Sequence, residues 1–435
     1  MNNSFQSIFI NLKHHWKALA LSGTSQMVNS LTNFVVVLYL VRVMDKSEFG
    51  FYSLGFALML TLAGLISSSI IMQFVVNLPD IPKIQRADYA MHHSAAVFLL
   101  GMILIILGLF VNSIQTELII GEMDLRQIIL PLAIATFFYS QRDVFVRIAY
   151  SEKLEFTVLL ITLFIPIGMV IFFIIQWYTE QPLTAFCAMY GIAAGQAAGC
   201  MAGLHFLKLP YKKFRVAGVY EAFKDSWQGG RWNILSNIVY SLRSQAHNLI
   251  AAPLLGAAAL AEMNATRVLV TPAVMAIPPL TQILMPRLGE KRKQGVEVIK
   301  RYAFLSIGML TAFSLLYTLL LLVLLPWVLP LALGEAYQHT GNLVMAWCLV
   351  TVFLALRNGL AMVLQVVRVF RELLTANMIA AAVAILLVIV LSMMLDNLGA
   401  IIAIAIAEVV LCFCLGKLMQ SRLVKNAGPE KISLL

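Results

Sequence analysis

Four arginines lie inside long apolar stretches of the chain, at Arg142, Arg243, Arg267 and Arg357. A charge at the centre of a bilayer costs at least ~2.5–3.5 kcal/mol, so an arginine kept there lines a polar pathway or meets a partner. Its planar fork of N–H donors suits phosphate oxygens or a carboxylate. Arg243 sits about 13 residues into its stretch, roughly 20 Å at helix rise, too deep for easy snorkelling to the surface. Tyr240 and His247 stand three residues before it and four after it, on the same helical face. Arg267 lies near mid-depth of the next stretch, with Thr271 one turn further on. Arg142 and Arg357 are nearer the ends of theirs, where snorkelling, or pairing across helices with Asp143, competes with a pathway role. Consecutive positions on a helix do not face each other, so Arg142 and Asp143 are not a self-contained pair.

Acids in the apolar stretches are few: Glu408 near the middle of one, Asp143, and Glu262 near the end of another. Glu408 reads as a proton site or as the counter-ion of an arginine on a neighbouring helix, and the counter-ion is favoured. No nucleotide loop, nucleophile elbow or zinc-protease motif is present, so the chain does not read as an enzyme. The five cysteines, Cys187, Cys200, Cys348, Cys412 and Cys414, fall in apolar segments without metal-ligand spacing to histidine. They read as buried free thiols, with no metal and no cofactor.

What must position these residues is a membrane fold. Hydrophobic residues make up 61% of the 435 and charged residues 12%, about half of what a soluble surface carries. A crossing takes ~20 mainly apolar residues, and about twelve of them with short loops use the whole chain. Spans are expected at 18–41, 50–77, 89–113, 127–149, 155–177, 183–206, 230–252, 257–286, 302–326, 341–365, 372–394 and 397–418. With the N-terminus inside, cytoplasmic segments hold 24 of the 31 lysines and arginines and outer segments only Arg42, Lys46 and Arg126. This sorting puts both termini in the cytoplasm. It also makes the net charge of +10 a topology signal rather than a nucleic-acid footprint. Residues 1–17 lack the apolar core of a cleavable signal.

The basic segment 208–231 divides the chain into halves, 1–207 and 232–435, the latter ending in a cytoplasmic tail. The first span of each half carries a polar stripe: Ser22, Gln26, Asn29 and Asn33, then Asn233, Asn237, Tyr240 and Ser244 at a shift of 211. Such stripes line a wet cavity or hydrogen-bond helix to helix. Phe138, Arg142 and Asp143 match Phe353, Arg357 and Asn358 at a shift of 215. The two matches predict a parallel duplication, two lobes of six helices related by an axis along the membrane normal. Arg243 and Arg267 have no charged counterpart in the first half, so the cavity's charge would sit on the second lobe. Pro272, Pro278 and Pro279 are expected to interrupt the eighth span.

Ser25-Gln-Met-Val-Asn29, followed by Leu40-Val-Arg-Val-Met-Asp-Lys-Ser-Glu-Phe-Gly-Phe-Tyr-Ser-Leu54, resembles the start of bacterial polysaccharide and O-antigen flippases of the Wzx type. Asp45 stands where that family usually has glycine. The family belongs to a superfamily that also holds MATE-type multidrug exporters and lipid II flippases. The resemblance implies an all-α protein of the inner membrane, two six-helix lobes in a V around a central cationic cavity. It further implies movement of an undecaprenyl-pyrophosphate-linked oligosaccharide to the periplasmic leaflet by alternating access. The implied partners are that lipid-linked cargo, membrane lipids, and a polysaccharide polymerase with its chain-length machinery. Arg243 and Arg267 would bind the pyrophosphate, with Arg142 and Arg357 weaker candidates. Gln26, Asn29, Asn33, Asn237, Tyr240 and His247 would meet the sugars and the rest of the cargo. Glu408, Asp143 and Glu262 would serve ion coupling or charge balance. A drug exporter of the same fold is the alternative, against which stand the absence of an acid in the first span and the positive cavity.

Overall fold

The computed structural model describes residues 2–113, 119–120, 123–210, 214–292, 296–367 and 369–425. The tail beyond Lys425 and the lysines at 212 and 213 of the basic segment lie outside them. The regular structure of the described chain is helical apart from an antiparallel pairing of two-residue strands, β1 (Ile119–Ile120) and β2 (Met123–Asp124). The helices are α1 (Asn2–Val43), α2 (Lys46–Ile66), α3 (Met72–Asn77), α4 (Arg86–Ser113), α5 (Arg126–Ser151), α6 (Glu155–Tyr178), α7 (Ala185–Leu207), α8 (Val216–Leu249), α9 (Ala251–Arg292), α10 (Val296–Leu333), α11 (Gly341–Val366) and α12 (Phe370–Lys425).

Among the described residues nine helices are long and apolar enough to cross a membrane. One of the nine is α12, whose 56 residues would reach about 84 Å if straight, far beyond one ~30 Å crossing. It breaks at Leu395 and Asp396, whose dihedrals leave the helical region. α5 and α8 fall outside the nine; they are the helices that carry Arg142, Asp143 and Arg243. The chain is a multi-pass membrane protein, as its surface also requires. Leu316, Leu320, Val323 and Trp327 form one bare apolar stripe on α10, a face tolerated in hydrocarbon but not in water.

The contacts divide the chain into two compact units, one of Met1–Val36 with Val43–Ile238, the other of Val37–Arg42 with Val239–Leu435. The boundary falls within α8. The basic segment 208–231 is not a loop throughout, because α8 already starts at Val216. Hydropathy marks the apolar part of a helix and passes over turns whose outer face meets water.

In the first unit α5 packs on α2, α4 and α7, while in the second α11 packs on α9, α10 and α12. The helices bearing Arg142 and Arg357 are thus each packed against at least three others of their unit. Lipid tails give helices no hydrophobic reason to associate, so close approach must come from small residues. On α7, Gly191, Gly195, Gly199 and Gly203 recur every four residues and face α6 and α5. A Cβ on Gly195 would lie 2.9 Å from the Ile165 carbonyl oxygen, and one on Gly199 3.1 Å from that of Ile161 and 3.2 Å from Arg142 Cγ. Glu48 caps the same helix, its carboxylate accepting from the Ala185 N–H at 2.6 Å. Phe49 and Tyr52 beside it are buried. The Glu-Phe-Gly-x-Tyr run is therefore a packing element of the first unit.

Between α2 and α3 the chain makes a π-helical turn, Ser67–Ile71, and Ser67 donates to Asp143 Oδ2 at 3.2 Å. The expected proline breaks in α9 are absent. Its dihedrals leave the helical region at Gly256 (φ 79°, ψ 178°) and at none of the three prolines, whose lost bonds neighbouring groups in a bundle can replace. A Cβ at Gly256 would meet nothing within 4 Å, so any cost there is conformational. Gly256→Ala is expected to cost about 1–3 kcal/mol, read as a lower melting temperature of the detergent-purified protein. An unchanged melting temperature would mean that this turn takes another conformation.

Candidate functional site: a cavity walled by arginines

Within the second unit, α8, α9, α11 and α12 enclose a cavity of about 350 Å³. Tyr240, Arg243, Ser244 and His247 enter it from α8, Arg267 from α9, Trp347 and Arg357 from α11, and Glu408 from α12. The helical periodicity explains the α8 contribution: offsets of three, four and seven residues put those side chains on one face.

Arg243 is only 4% exposed, and its Nη1 donates to Glu408 Oε1. The other oxygen of that carboxylate lies 2.8 Å from Arg357 Nε, but the pair lacks hydrogen-bond alignment, and neither atom has another partner among the described residues. One carboxylate thus balances two arginines, and among the described residues the Nε–H groups of both arginines are left without an acceptor. The Arg243 guanidinium also stands 5.7 Å from the Tyr240 ring centre.

Arg267 is held differently. Its Nη1 lies 3.2 Å from His247 Nε2, and its guanidinium stands 5.4 Å from the Trp347 ring centre. A guanidinium has no acceptor, so His247 Nε2 must accept and the ring is neutral, with its hydrogen on Nδ1. Trp347 is fixed by an Nε1–H bond to the Met263 carbonyl at 2.9 Å, and His247 meets it edge-on at 5.3 Å. Arg267 therefore has aromatic and imidazole support, and among the described residues no carboxylate pairs with it. With three arginines, one glutamate and a neutral histidine, the wall carries a surplus of two positive charges.

The remaining candidates lie elsewhere. Arg142 is buried in the first unit, 4.8 Å from the Tyr139 ring centre, and its Nε has no partner among the described residues. Asp143 does not pair with it, because the next turn of α5 offers Arg147, whose Nε is 3.7 Å away. Glu262 accepts from Asn397 at 2.6 Å and meets His339 Nε2 at 2.9 Å, away from the cavity. Gln26, Asn29, Asn33 and Asn237 belong to the first unit and do not line it. Gln26 is exposed and the other three half-buried. Trp347 and Thr351 are wall residues that sequence reasoning passed over. Trp347 stands ten residues before Arg357, nearly three full turns, which puts the two on one side of α11.

No family model matches the sequence, and no curated protein matches it. Solved structures do. The chain is similar to the lipid II flippase MurJ in an inward closed conformation, with a TM-score of 0.72 and 11% identity over 94% of this chain and 90% of that one. It is similar to an inward-facing multidrug resistance MATE family transporter, with a TM-score of 0.71 and 16% identity over 94% of this chain and 100% of that one. A MOP superfamily transporter from Pyrococcus furiosus, described as having a binding pocket of reverse polarity, matches with a TM-score of 0.60 and 18% identity over 94% of each chain. The fold is that of the MOP superfamily transporters. At these identities the likeness fixes the architecture and leaves the cargo to the chemistry of the wall.

Proposed function

We propose that this chain is a MOP-type transporter whose cargo is an oligosaccharide linked through pyrophosphate to undecaprenol, flipped from the cytoplasmic to the periplasmic leaflet of the bacterial inner membrane. The observation that carries this reading is the cavity with three arginines against one glutamate. A diphosphate diester bears roughly two negative charges, equal to the surplus, and its oxygens fit the forks of Arg243 and Arg357 whose Nε–H groups lack acceptors. Tyr240, Ser244, Thr351 and Asn358 on the same wall offer hydroxyl and amide groups to sugars. The likeness to a lipid II flippase supports a lipid-borne cargo. Arg142, Gln26, Asn29, Asn33 and Asn237 would meet other parts of the cargo during passage. Glu408 would balance charge while the site is empty, and Asp143 and Glu262 would do so elsewhere. A polymerase and its chain-length machinery would receive the product.

The likeness to a MATE transporter, nearly as close, favours a second reading, export of small molecules. Vesicles reconstituted with the chain separate the two. With a fluorescent polyprenyl-diphosphate sugar in both leaflets, the expected result is exchange between leaflets well above that of protein-free vesicles and no efflux of a cationic dye. Dye efflux without lipid exchange would reverse the assignment.

A further inference from the structure

A second cavity, of about 540 Å³, lies in the first unit. It forms where the segment after α3 and the first turns of α4 meet the first turns of α8. We infer that it is a binding site for an organic cation, an amine with two or more ammonium groups.

The charge on its wall runs against that of the chain. Asp88 comes from α4, and Glu221 and Asp225 come from α8, where a spacing of four residues puts them on one face. Arg215 is the one arginine or lysine among its lining residues. The protein as a whole is at +10, and its lysines and arginines crowd the segments flanking this site. By the positive-inside rule the cavity therefore opens to the cytoplasm.

A second observation points to a ligand that donates hydrogen bonds. His93 is fully buried and lines the cavity. Its Nδ1 lies 3.0 Å from the Tyr89 carbonyl oxygen. A carbonyl only accepts, so Nδ1 carries the hydrogen and Nε2 of the neutral ring is an acceptor. That Nε2 has no partner among the described residues. A buried acceptor of this kind is costly unless something donates to it. The Tyr89 ring, 4.1 Å from the His93 ring centre, adds an aromatic wall, and a ring face attracts an ammonium group.

Carboxylates, an imidazole acceptor and an aromatic ring together select N–H donors on a cation. Among the described residues no three His, Cys, Asp or Glu side chains are placed to hold a metal ion. The volume likewise exceeds what a bare ion fills. An amine bridging Glu221 and Asp225 to His93 would tie the start of α8 to α4. The site shares no residue with the arginine cavity and stands or falls independently of it.

The test is calorimetric titration of the purified full chain in nanodiscs of neutral lipid with spermidine, and in parallel with Mg²⁺. The variant Glu221→Gln/Asp225→Asn changes two exposed side chains, and size-exclusion chromatography verifies that it remains monodisperse. The expected result is saturable 1:1 spermidine binding that weakens by at least about tenfold in the variant, the scale of a lost charge-assisted hydrogen bond. Three results would each overturn the site: no saturable binding at millimolar spermidine, equal affinity in the variant, or Mg²⁺ alone binding with the same stoichiometry and the same loss.

Discussion

Replacing Arg243 by alanine is expected to abolish export of the lipid-linked glycan while the protein still reaches the membrane. The side chain is almost wholly buried and spends one N–H on Glu408, leaving its Nε–H for an incoming anion. Its loss halves the surplus of positive charge on the wall and leaves Glu408 facing Arg357 alone. A charge-assisted hydrogen bond contributes about 1.5–3 kcal/mol, so cargo affinity should fall by roughly ten- to a hundredfold. Arg243→Lys should be intermediate, because an ammonium keeps the charge but not the fork. Arg267→Ala should act in the same direction through a different support, the His247–Trp347 shelf. Surface polysaccharide on whole cells, set against the amount of tagged protein in the membrane fraction, is the measurement. Full export by both alanine variants would end the phosphate-binding role.

The architecture was legible in the sequence because hydrocarbon imposes its own length. The eleventh and twelfth spans were divided between residues 394 and 397, and the chain leaves the helix at Leu395 and Asp396. What hydropathy could not reveal is where a helix continues into water. α8 starts at Val216, fourteen residues before the expected span. Prolines misled for the opposite reason: each removes one donor, but dihedrals in α9 stay helical through all three. The departure at Asp45 has a local explanation. It sits at φ −61° and ψ 151°, ordinary extended backbone that needs no glycine. Gly256, at the expected repeat shift of 211 from Asp45, sits at φ 79° and does.

The site was legible one helix at a time. Helical spacing puts Tyr240, Arg243 and His247 on one face, and the energetic cost of a buried charge singles out Arg243 and Arg267, while snorkelling competes at Arg142 and Arg357. Which acid faces which arginine depends on the packing of α8, α11 and α12, and periodicity within a helix carries no such information. Asp143 shows the same limit: it was weighed against arginines on other helices, yet Arg147 on its own next turn is the partner in place. The cavity also lies within the second unit, and the polar stripe of α1 contributes nothing to it.

Glu408→Ala should be the most destabilising single change in the cavity wall. The carboxylate is 7% exposed and sits against a guanidinium that is 3% exposed and another that is 14% exposed. Removing one partner of a buried ion pair leaves an uncompensated charge and costs about 3–5 kcal/mol. The expected signature is a large drop in melting temperature and in the monodisperse yield from detergent. Glu408→Gln should lose less, because its amide oxygen can still accept from Arg243 Nη1 although the charge is gone. The decisive variant is Arg243→Leu/Glu408→Leu. It removes the buried pair together and leaves Arg357, the most exposed of that cluster, without its carboxylate. Stability should recover by more than half relative to Glu408→Ala, since replacing both members of a buried pair with apolar groups is often neutral. Export should not recover, because the buried Arg243 fork is gone and Arg267 and Arg357 do not replace it. That split separates the role of the carboxylate from that of the arginines: Glu408 balances charge in the empty cavity, and the arginines bind the cargo's phosphates. A Glu408→Ala protein as stable as the wild type would mean that the pair does not form. A double variant that regains export would mean that Arg243 is there for stability alone.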